Sequence, residues 1–235
     1  MPFLLINKPK GWTSFDVVAY LRGSLKVKKI GHAGTLDPFA TGLLIVGVER
    51  AATKKLEEFK NLSKTYQTKI RLGAYSDTQD STGKITIHDT HNMIPMIDNV
   101  KKVLQTFIGK QKQLPPMYSA KKIKGKKLYK LARQGVEIER EPNEIEIYGI
   151  KLLNYEYPQL EIEVNCGAGT YIRALAHDIG KALGTGAYCD ELIRTKIGEY
   201  NISKALEVKN INKENYLQLA IVNKRADKQP ALLNV

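Results

Sequence analysis

The sequence predicts an α+β fold built on a mainly antiparallel sheet. The main observation is that several segments alternate apolar and polar residues, as strands do when only one face is buried. The clearest segment is 64–72, in which every second residue from Tyr66 to Leu72 lies on one face. Residues 145–147 and 160–164 alternate in the same way. Amphipathic helix patterns between these strands predict helices that flank a central, mostly antiparallel mixed sheet.

Shorter signals predict the remaining strands and turns. Residues 3–7 and 43–46 are apolar runs, which are typical of strands buried on both faces. Residues 77–83 are rich in turn-forming side chains. Residues 206–219 are expected to form a small helical cap.

Three segments have helical periodicity. Ser14 is expected to cap the first helix, whose apolar residues repeat every four positions. Apolar faces over 97–107 and 172–183 predict two more helices, which end near Gly109 and Gly184.

The charge of the chain favours a polyanionic partner. Its 235 residues include 37 Lys and Arg against 24 Asp and Glu, which leaves a net charge of +13. An excess of this size is typical of proteins that bind nucleic acid. On charge alone, a solvated basic surface is the alternative.

Composition argues against several other classes of protein. Cys166 and Cys189 form no paired framework, which favours a reducing compartment. The four histidines show no convincing metal-ligand spacing, so no metal site is expected. No apolar run approaches the roughly 18 residues of a membrane span. We expect a soluble, cytoplasmic protein without a membrane segment, and a monomer.

The glycine-rich loop 31–42 is the most informative segment. Its glycines allow unusual backbone angles and the close approach of another molecule. Pro38 restricts the residue before it, Asp37, to extended conformations. A carboxylate held in this way is a candidate catalytic group, although by local chemistry alone Asp37 could simply form an Asx turn.

This loop resembles the signature of the TruB family of tRNA pseudouridine synthases. It reads Gly31-His32-Ala33-Gly34-Thr35-Leu36-Asp37-Pro38. Further segments resemble motifs of the same family in the same order, and they lie at 7–14, 64–66, 72–80, 116–133, 169–173 and 184–194. These segments include Lys-Pro-Lys-Gly-Trp-Thr-Ser at 8–14 and Gly-Thr-Tyr-Ile-Arg at 169–173.

The resemblance implies a pseudouridine synthase fold and a specific reaction. The enzyme would isomerise the uridine at position 55, in the T loop of tRNA, without a cofactor or a metal. Because a stacked uridine cannot be reached, the base must be flipped out. The resemblance makes Asp37 the nucleophile. Whether Asp37 attacks C1′ or removes the C2′ proton stays open.

The resemblance also assigns roles to other side chains near the target uridine. Arg173 is expected to pair with Asp37, because a buried carboxylate needs a cation to stay ionised. The ring of Tyr66 would stack on the base, and its hydroxyl could take part in proton transfer. His32 would fill the space left by the flipped nucleotide. Tyr171 and Leu192 would contact the uridine, although core packing is the alternative for both.

RNA binding is expected to involve lysines in two places. Lys8 and Lys64 accompany the family motifs, and the stretch 121–130 is the densest positive segment of the chain. Its candidate phosphate ligands are Lys121, Lys122, Lys126 and Lys127. The whole insertion, about 112–140, would grip the RNA.

The predicted domain organisation is a catalytic domain over 1–200 followed by a short tail over 201–235. Many relatives continue into a PUA module that contacts tRNA, and the tail is too short to form one. Two other functions remain possible for such a sequence. One is a synthase that acts on other RNA within a guide-RNA complex, and the other is a non-catalytic protein that binds or folds RNA.

Overall fold

A computed structural model of the chain describes residues 1–88, 94–119, 122–123, 126–127 and 138–221. The helices are α1 Ser14–Leu25, α2 Glu49–Lys54, α3 Leu56–Lys60, α4 Ile97–Thr106, α5 Ile172–Ala182 and α6 Tyr216–Leu219. The strands are β1 Phe3–Lys8, β2 Ile30–Ala33, β3 Thr41–Val48, β4 Lys64–Leu72, β5 Ala74–Ser76, β6 Ile85–Ile87, β7 Gly109–Gln113, β8 Lys122–Ile123, β9 Lys126–Lys127, β10 Asn143–Glu156, β11 Gln159–Cys166, β12 Ala187–Ile197, β13 Tyr200–Asn201 and β14 Leu206–Glu207. Within these ranges, no helix has the length and apolar character needed to span a bilayer.

The chain divides into two compact units. The first contains Met1–Leu62 and the chain from Arg194 onward, and the second contains Ser63–Ile193. The boundary falls inside β12, so the end of this strand belongs to the first unit. Residues 201–221 therefore belong to the same unit as the N-terminal region.

The first unit contains a mixed sheet with the strand order β14-β1-β3. Strand β1 pairs with β3 in antiparallel register, Ile6 opposite Leu44, and with β14 in parallel register, Ile6 opposite Leu206. Strand β2 lies antiparallel to β3, with His32 opposite Val46. The predicted apolar strands at 3–7 and 43–46 are confirmed.

Both faces of this sheet are buried, which explains the continuous apolar runs. Leu4 and Ile6 face a core that includes the apolar side of α1. Phe3 and Leu5, one position out of phase, face a second core that includes Phe59 of α3. Because successive side chains of a strand point to opposite faces, a strand covered on both sides needs apolar residues at every position.

The prediction that Ser14 caps α1 is wrong by one residue. Thr13 is the N-cap, and its hydroxyl accepts a hydrogen bond from the backbone of Asp16 at 3.0 Å. The Asp16 carboxylate accepts in return from the backbone N–H of Thr13 at 2.7 Å, which completes a capping box. Ser14 is the first helical residue and is buried.

The second unit contains an antiparallel sheet with the strand order β4-β11-β10-β7. Strand β4 has the predicted bounds, and Tyr66 lies opposite Val164 of β11. Helix α5 packs against β4. The prediction that Gly109 ends a helix is wrong. Gly109 begins β7, with φ at 107°, and pairs with Ile147 of β10. The α+β class and the mixed, largely antiparallel sheet are confirmed.

The predicted helical cap over residues 206–219 is only partly formed. It begins with the short strand β14 and a 3₁₀ turn at Val208–Asn210, and only Tyr216–Leu219 is α-helical. The Asn212 side chain accepts hydrogen bonds from the backbone N–H groups of Glu214 and Asn215. Such local side-chain bonds compete with a longer helix.

Candidate active site

The loop that carries Asp37 is fixed through its backbone. It follows β2 and leads into β3, and Gly34 adopts a positive φ of 76°. The N–H of Ala40 donates to the carbonyl of Asp37 at 3.1 Å, and the N–H of Gly11 donates to that of Pro38 at 2.8 Å. Asp37 itself is partly exposed. The carboxylate therefore lies on a rigid turn that other molecules can reach.

Ser14 holds this loop from the side of α1. Its hydroxyl donates to the carbonyl of Leu36 at 3.3 Å and accepts from the N–H of Leu36 at 2.9 Å. The Leu36 side chain is buried. Ser14 thus anchors the residue that precedes Asp37, a role that the sequence did not indicate.

Lys8, one of the residues predicted to bind RNA, is buried. Its side chain is 0% exposed, and its ammonium donates to the carbonyls of Pro9 at 2.9 Å, Trp12 at 2.6 Å and Pro38 at 3.5 Å. A lysine buried in this way does not present its charge to phosphates at the surface. Lys8 instead ties the turn after β1 to the loop of Asp37.

Arg194 is the main residue of this region that sequence reasoning missed. It lies on β12 and is only 1% exposed. Its Nε donates to the carbonyl of Leu43 at 2.7 Å, and its Nη2 donates to that of Gly34 at 3.0 Å. Arg194 therefore ties the beginning of the Asp37 loop to the strand that follows it.

Gly42 makes the close packing of β12 possible. Its φ is 102°, and a Cβ built there would lie 2.5 Å from the carbonyl oxygen of Arg194. No side chain fits at that distance. A substitution at Gly42 would push away the strand segment that positions the guanidinium of Arg194.

Charge and burial act in opposite directions on Lys8. The pKa of Lys8 is lowered from 10.5 to about 8, mainly because of burial; the Arg194 guanidinium adds to this effect, and the nearby Asp37 carboxylate opposes it. The charges of Lys8 and Arg194 are therefore close enough to repel each other, and the carboxylate of Asp37 is close enough to attract Lys8. This arrangement favours an ionised carboxylate on the loop.

The lowered pKa of Lys8 predicts a stability that depends on pH. Between pH 8 and 10.5 the unfolded chain binds the Lys8 proton and the folded chain does not, so the free energy of unfolding should rise with pH. This gain is complete above pH 10.5 and absent below about pH 8. Urea unfolding of the wild type and of Lys8→Met at pH 7.5 and 10 measures it. The stability difference between the two proteins should shift in favour of the wild type by about 1–3 kcal/mol. A constant difference would contradict the buried, titrating ammonium.

His32 lies next to the Asp37 loop, on β2. In the part of the chain described here, its Nδ1 is buried and has no hydrogen-bond partner. Burial lowers its pKa, and the positive charges of Arg194 and Lys60 lower it further. The imidazole is therefore neutral at physiological pH, which suits a ring that is expected to contact a nucleotide.

In the second unit, Arg173 is a buried cation at the start of α5. It is 3% exposed, which excludes a solvated surface charge. Its Nη1 lies 3.1 Å from a carboxylate oxygen of Asp80 and donates to the carbonyl of Thr78 at 2.8 Å, and its Nη2 donates to the carbonyl of Tyr118 at 2.9 Å. The expected pairing of Arg173 with Asp37 stays a prediction.

Asp80 is a second residue that the sequence did not single out. Its side chain is 6% exposed and lies in the turn after β5. Besides Arg173, it accepts hydrogen bonds from the hydroxyl of Thr78 at 2.8 Å and from the N–H of Thr82 at 3.0 Å. The turn at 77–83 is therefore organised around one buried carboxylate.

The other predicted residues of this unit are also buried or held in place. Tyr66, Lys64 and Leu192 are 8%, 7% and 6% exposed. Tyr171 is partly exposed and precedes α5, where the Gln113 side chain accepts from its N–H at 2.8 Å and donates to its carbonyl at 3.0 Å. These two hydrogen bonds fix the backbone of Tyr171 and therefore the position from which its side chain extends.

The predicted lysine stretch is largely outside the described residues. Lys121 is not among them, and only the backbones of Lys122, Lys126 and Lys127 are described, in the two-stranded β8–β9 ribbon. Their role in RNA binding stays a prediction.

The cysteines do not offer an alternative nucleophile. Both are buried, and burial raises the pKa of the Cys166 thiol to about 11. A thiol with this pKa is protonated at neutral pH and is a poor nucleophile. The described residues also contain no group of three His, Cys, Asp or Glu side chains that could hold a metal ion.

Comparison with known proteins places this chain in a family. Residues 22–172 match the TruB family pseudouridylate synthase N-terminal domain, and residues 173–228 match the tRNA pseudouridylate synthase B C-terminal domain. A tRNA pseudouridine synthase B of Dehalococcoides mccartyi strain CBDB1 is 48% identical over 87% of this chain and 67% of its own length. The enzyme of the same name from Protochlamydia amoebophila is 45% identical over 93% and 82%.

Solved structures agree with this assignment. A chain in the crystal structure of a Cbf5–Nop10–Gar1 complex superposes with a TM-score of 0.67 at 29% identity. The likeness covers 88% of this chain and 52% of that one, so the present chain spans about half of the length of its structural relative. From the sequence match and the fold together, the chain belongs to the TruB family of pseudouridylate synthases.

Proposed function

We propose that this protein converts uridine to pseudouridine in the T loop of tRNA, at position 55. The observation that carries the proposal is the loop of Asp37, which the buried cations Lys8 and Arg194 tie down through the carbonyls of Pro38 and Gly34. A reactive carboxylate needs to be held in one geometry while a substrate enters. Family membership supplies the reaction, and the cytoplasm is the expected compartment.

The proposed rearrangement balances without any co-reactant. The C1′–N1 bond of the uridine breaks, the uracil turns, and a C1′–C5 bond forms in its place. The C5 proton is lost, and N1 gains a proton. Asp37 acts on the sugar, as a nucleophile at C1′ or as a base at C2′, and the two routes give the same product.

We assign the predicted residues of the second unit to two roles, binding of the uracil base and electrostatic stabilisation of Asp37. Tyr66 would stack on the uracil, and Tyr171 and Leu192 would line its pocket. Arg173 is proposed as the cation that keeps Asp37 ionised. The support for its charged state is its ion pair to Asp80 at 3.1 Å.

The degree of similarity favours tRNA over a guide-RNA complex. The relatives named tRNA pseudouridine synthase B are 45–48% identical to this chain, whereas the chain from the Cbf5 complex is 29% identical. Substrate choice usually diverges faster than fold, so the more similar relatives are the better guide.

Mapping of modified uridines in tRNA tests the proposal directly. Pseudouridine at position 55 should be absent from cells that lack the gene and should return when the wild-type gene is restored. Purified protein should also modify a T-arm hairpin transcript, and should not modify the same hairpin with cytidine at the target position. Normal modification in the deletion strain, with no activity of the purified protein, would refute the proposed function.

A further inference from the structure

A groove in the first unit begins at His32 and runs between two helical elements. It has a volume of about 460 Å³. One wall is α1, the other is formed by α2 and α3, and the end of β2 forms its floor. Because β2 leads directly into the loop of Asp37, the end of the groove at His32 lies close to the start of that loop along the chain.

The rim of the groove is strongly basic. Arg22, Lys29, Lys54 and Lys60 line it, against one acidic residue, Glu57. The Lys60 ammonium lies 2.6 Å from Glu57, so this carboxylate is matched by a cation. The remaining positive charge has no equivalent negative charge among the lining residues, which suits a polyanion.

An aromatic ring is exposed within the same groove. Phe15 is 60% exposed, an unusual state for a phenylalanine. The Arg22 guanidinium carbon lies 5.6 Å from its ring centroid, and the same guanidinium donates to the carbonyl of Ile30 at 2.9 Å. The ring is thus supported by a cation that is itself held in place. Such a pair can stack a base and contact a phosphate.

His32 joins the groove to the active-site loop. It lines the groove, and its ring is held neutral by burial and by the nearby cations. Its buried Nδ1 has no hydrogen-bond partner in the described structure. A neutral imidazole at the edge of the groove can contact a base or a sugar without adding charge repulsion.

From these contacts we propose that the groove binds a single-stranded segment of RNA adjoining the target uridine. One base stacks on Phe15, and its flanking phosphates contact Lys29 and Lys54. The inference rests on the proposed function, since it requires an RNA substrate, and it assigns a second contact surface in addition to the predicted lysine stretch.

A charge-matched pair of variants tests the groove. The first neutralises it with Lys29→Gln, Lys54→Gln and Lys60→Gln. The control removes the same charge from exposed lysines of the same unit, with Lys204→Gln, Lys209→Gln and Lys213→Gln. Affinity for the T-arm hairpin should fall about tenfold or more in the groove variant and less than twofold in the control. The slope of log K against log[salt] should become about two units less negative in the groove variant and should stay unchanged in the control.

The aromatic contact is tested separately. Phe15→Ala should weaken hairpin binding about tenfold, and Phe15→Tyr should restore it, because tyrosine keeps the ring. Equal losses in the groove and control variants, or wild-type binding by Phe15→Ala, would overturn the proposal. Equal losses would mean that only net charge attracts the RNA.

The readouts separate this inference from the proposed function. Hairpin affinity is measured without turnover, and the single-turnover rate at saturating RNA is measured in parallel. If the wild type binds the hairpin through the groove but forms no pseudouridine, the proposed function fails and the groove stands. If the wild type is active and both charge variants bind alike, the groove fails and the function stands.

Discussion

Asp37→Asn should reduce pseudouridine formation by at least about 10⁴-fold, a loss of about 5.4 kcal/mol of transition-state stabilisation. The amide keeps the size and shape of the carboxylate but can neither attack C1′ nor remove the C2′ proton. The loop should stay folded, because its fixed points are the backbone groups of Gly34, Leu36 and Pro38. Single-turnover kinetics on the T-arm hairpin measures the loss.

Three controls accompany this variant. Hairpin affinity and the midpoint of thermal unfolding should match the wild type, and Asp37→Glu should retain the charge at a displaced position. Turnover of even a few per cent by pure Asp37→Asn protein would contradict the assignment. If Asp37→Asn forms no pseudouridine but still supports normal tRNA folding in cells, the protein has an RNA-folding role in addition to catalysis. If the protein were only a non-catalytic folding factor, Asp37→Asn would match the wild type in every assay.

The strands were predictable where burial is one-sided or complete. In β4, the alternation from Tyr66 to Leu72 indicates a strand with one buried face. The apolar runs of β1 and β3 indicate strands with both faces buried. The period of a strand is two residues, so these patterns leave little freedom in register. The cap of α1 was less well determined, because Thr13 and Ser14 are both good capping residues and only the helix phase separates them.

The contacts of the buried cations Lys8 and Arg194 were not predictable from local sequence. Lys8 stands between Asn7 and Pro9, in a context that is typical of a solvated turn, and only the fold surrounds it with carbonyl groups. Arg194 did carry a signal, since it lies two residues after Leu192 and so on the same face of β12. Burying an arginine is costly unless its donors are satisfied, and the acceptors on Leu43 and Gly34 are distant in sequence.

Asp80 shows the same limit. The sequence indicated that a buried guanidinium needs an anion and made Asp37 its natural partner, a pairing that stays a prediction. The ion pair that the structure describes is with Asp80, 93 positions away in the chain. Which carboxylate lies beside a given cation depends on how a turn packs against a helix, and no local pattern encodes that.

The Arg173–Asp80 pair leads to the second large prediction. Asp80→Asn removes one charge from a pair whose side chains are only 3% and 6% exposed. Losing one partner of a buried pair typically costs about 3–5 kcal/mol, because the other charge is left without compensation. The free energy of unfolding should fall by about 3 kcal/mol. Turnover should fall as well, at least about a hundredfold, because Arg173 loses the group that orients its planar fork.

The same unit offers a matched control. Lys69 and Glu191 also lie 3.1 Å apart, but their side chains are 41% and 47% exposed. Solvent screens such a pair, and it is worth less than about 1 kcal/mol. Urea unfolding of Asp80→Asn and Glu191→Gln therefore compares the same loss of charge at the same distance, buried and exposed. Asp80→Asn should be clearly less stable and less active, whereas Glu191→Gln should resemble the wild type in both. Similar stabilities for the two variants would show that the carboxylate of Asp80 is not what keeps Arg173 buried and charged.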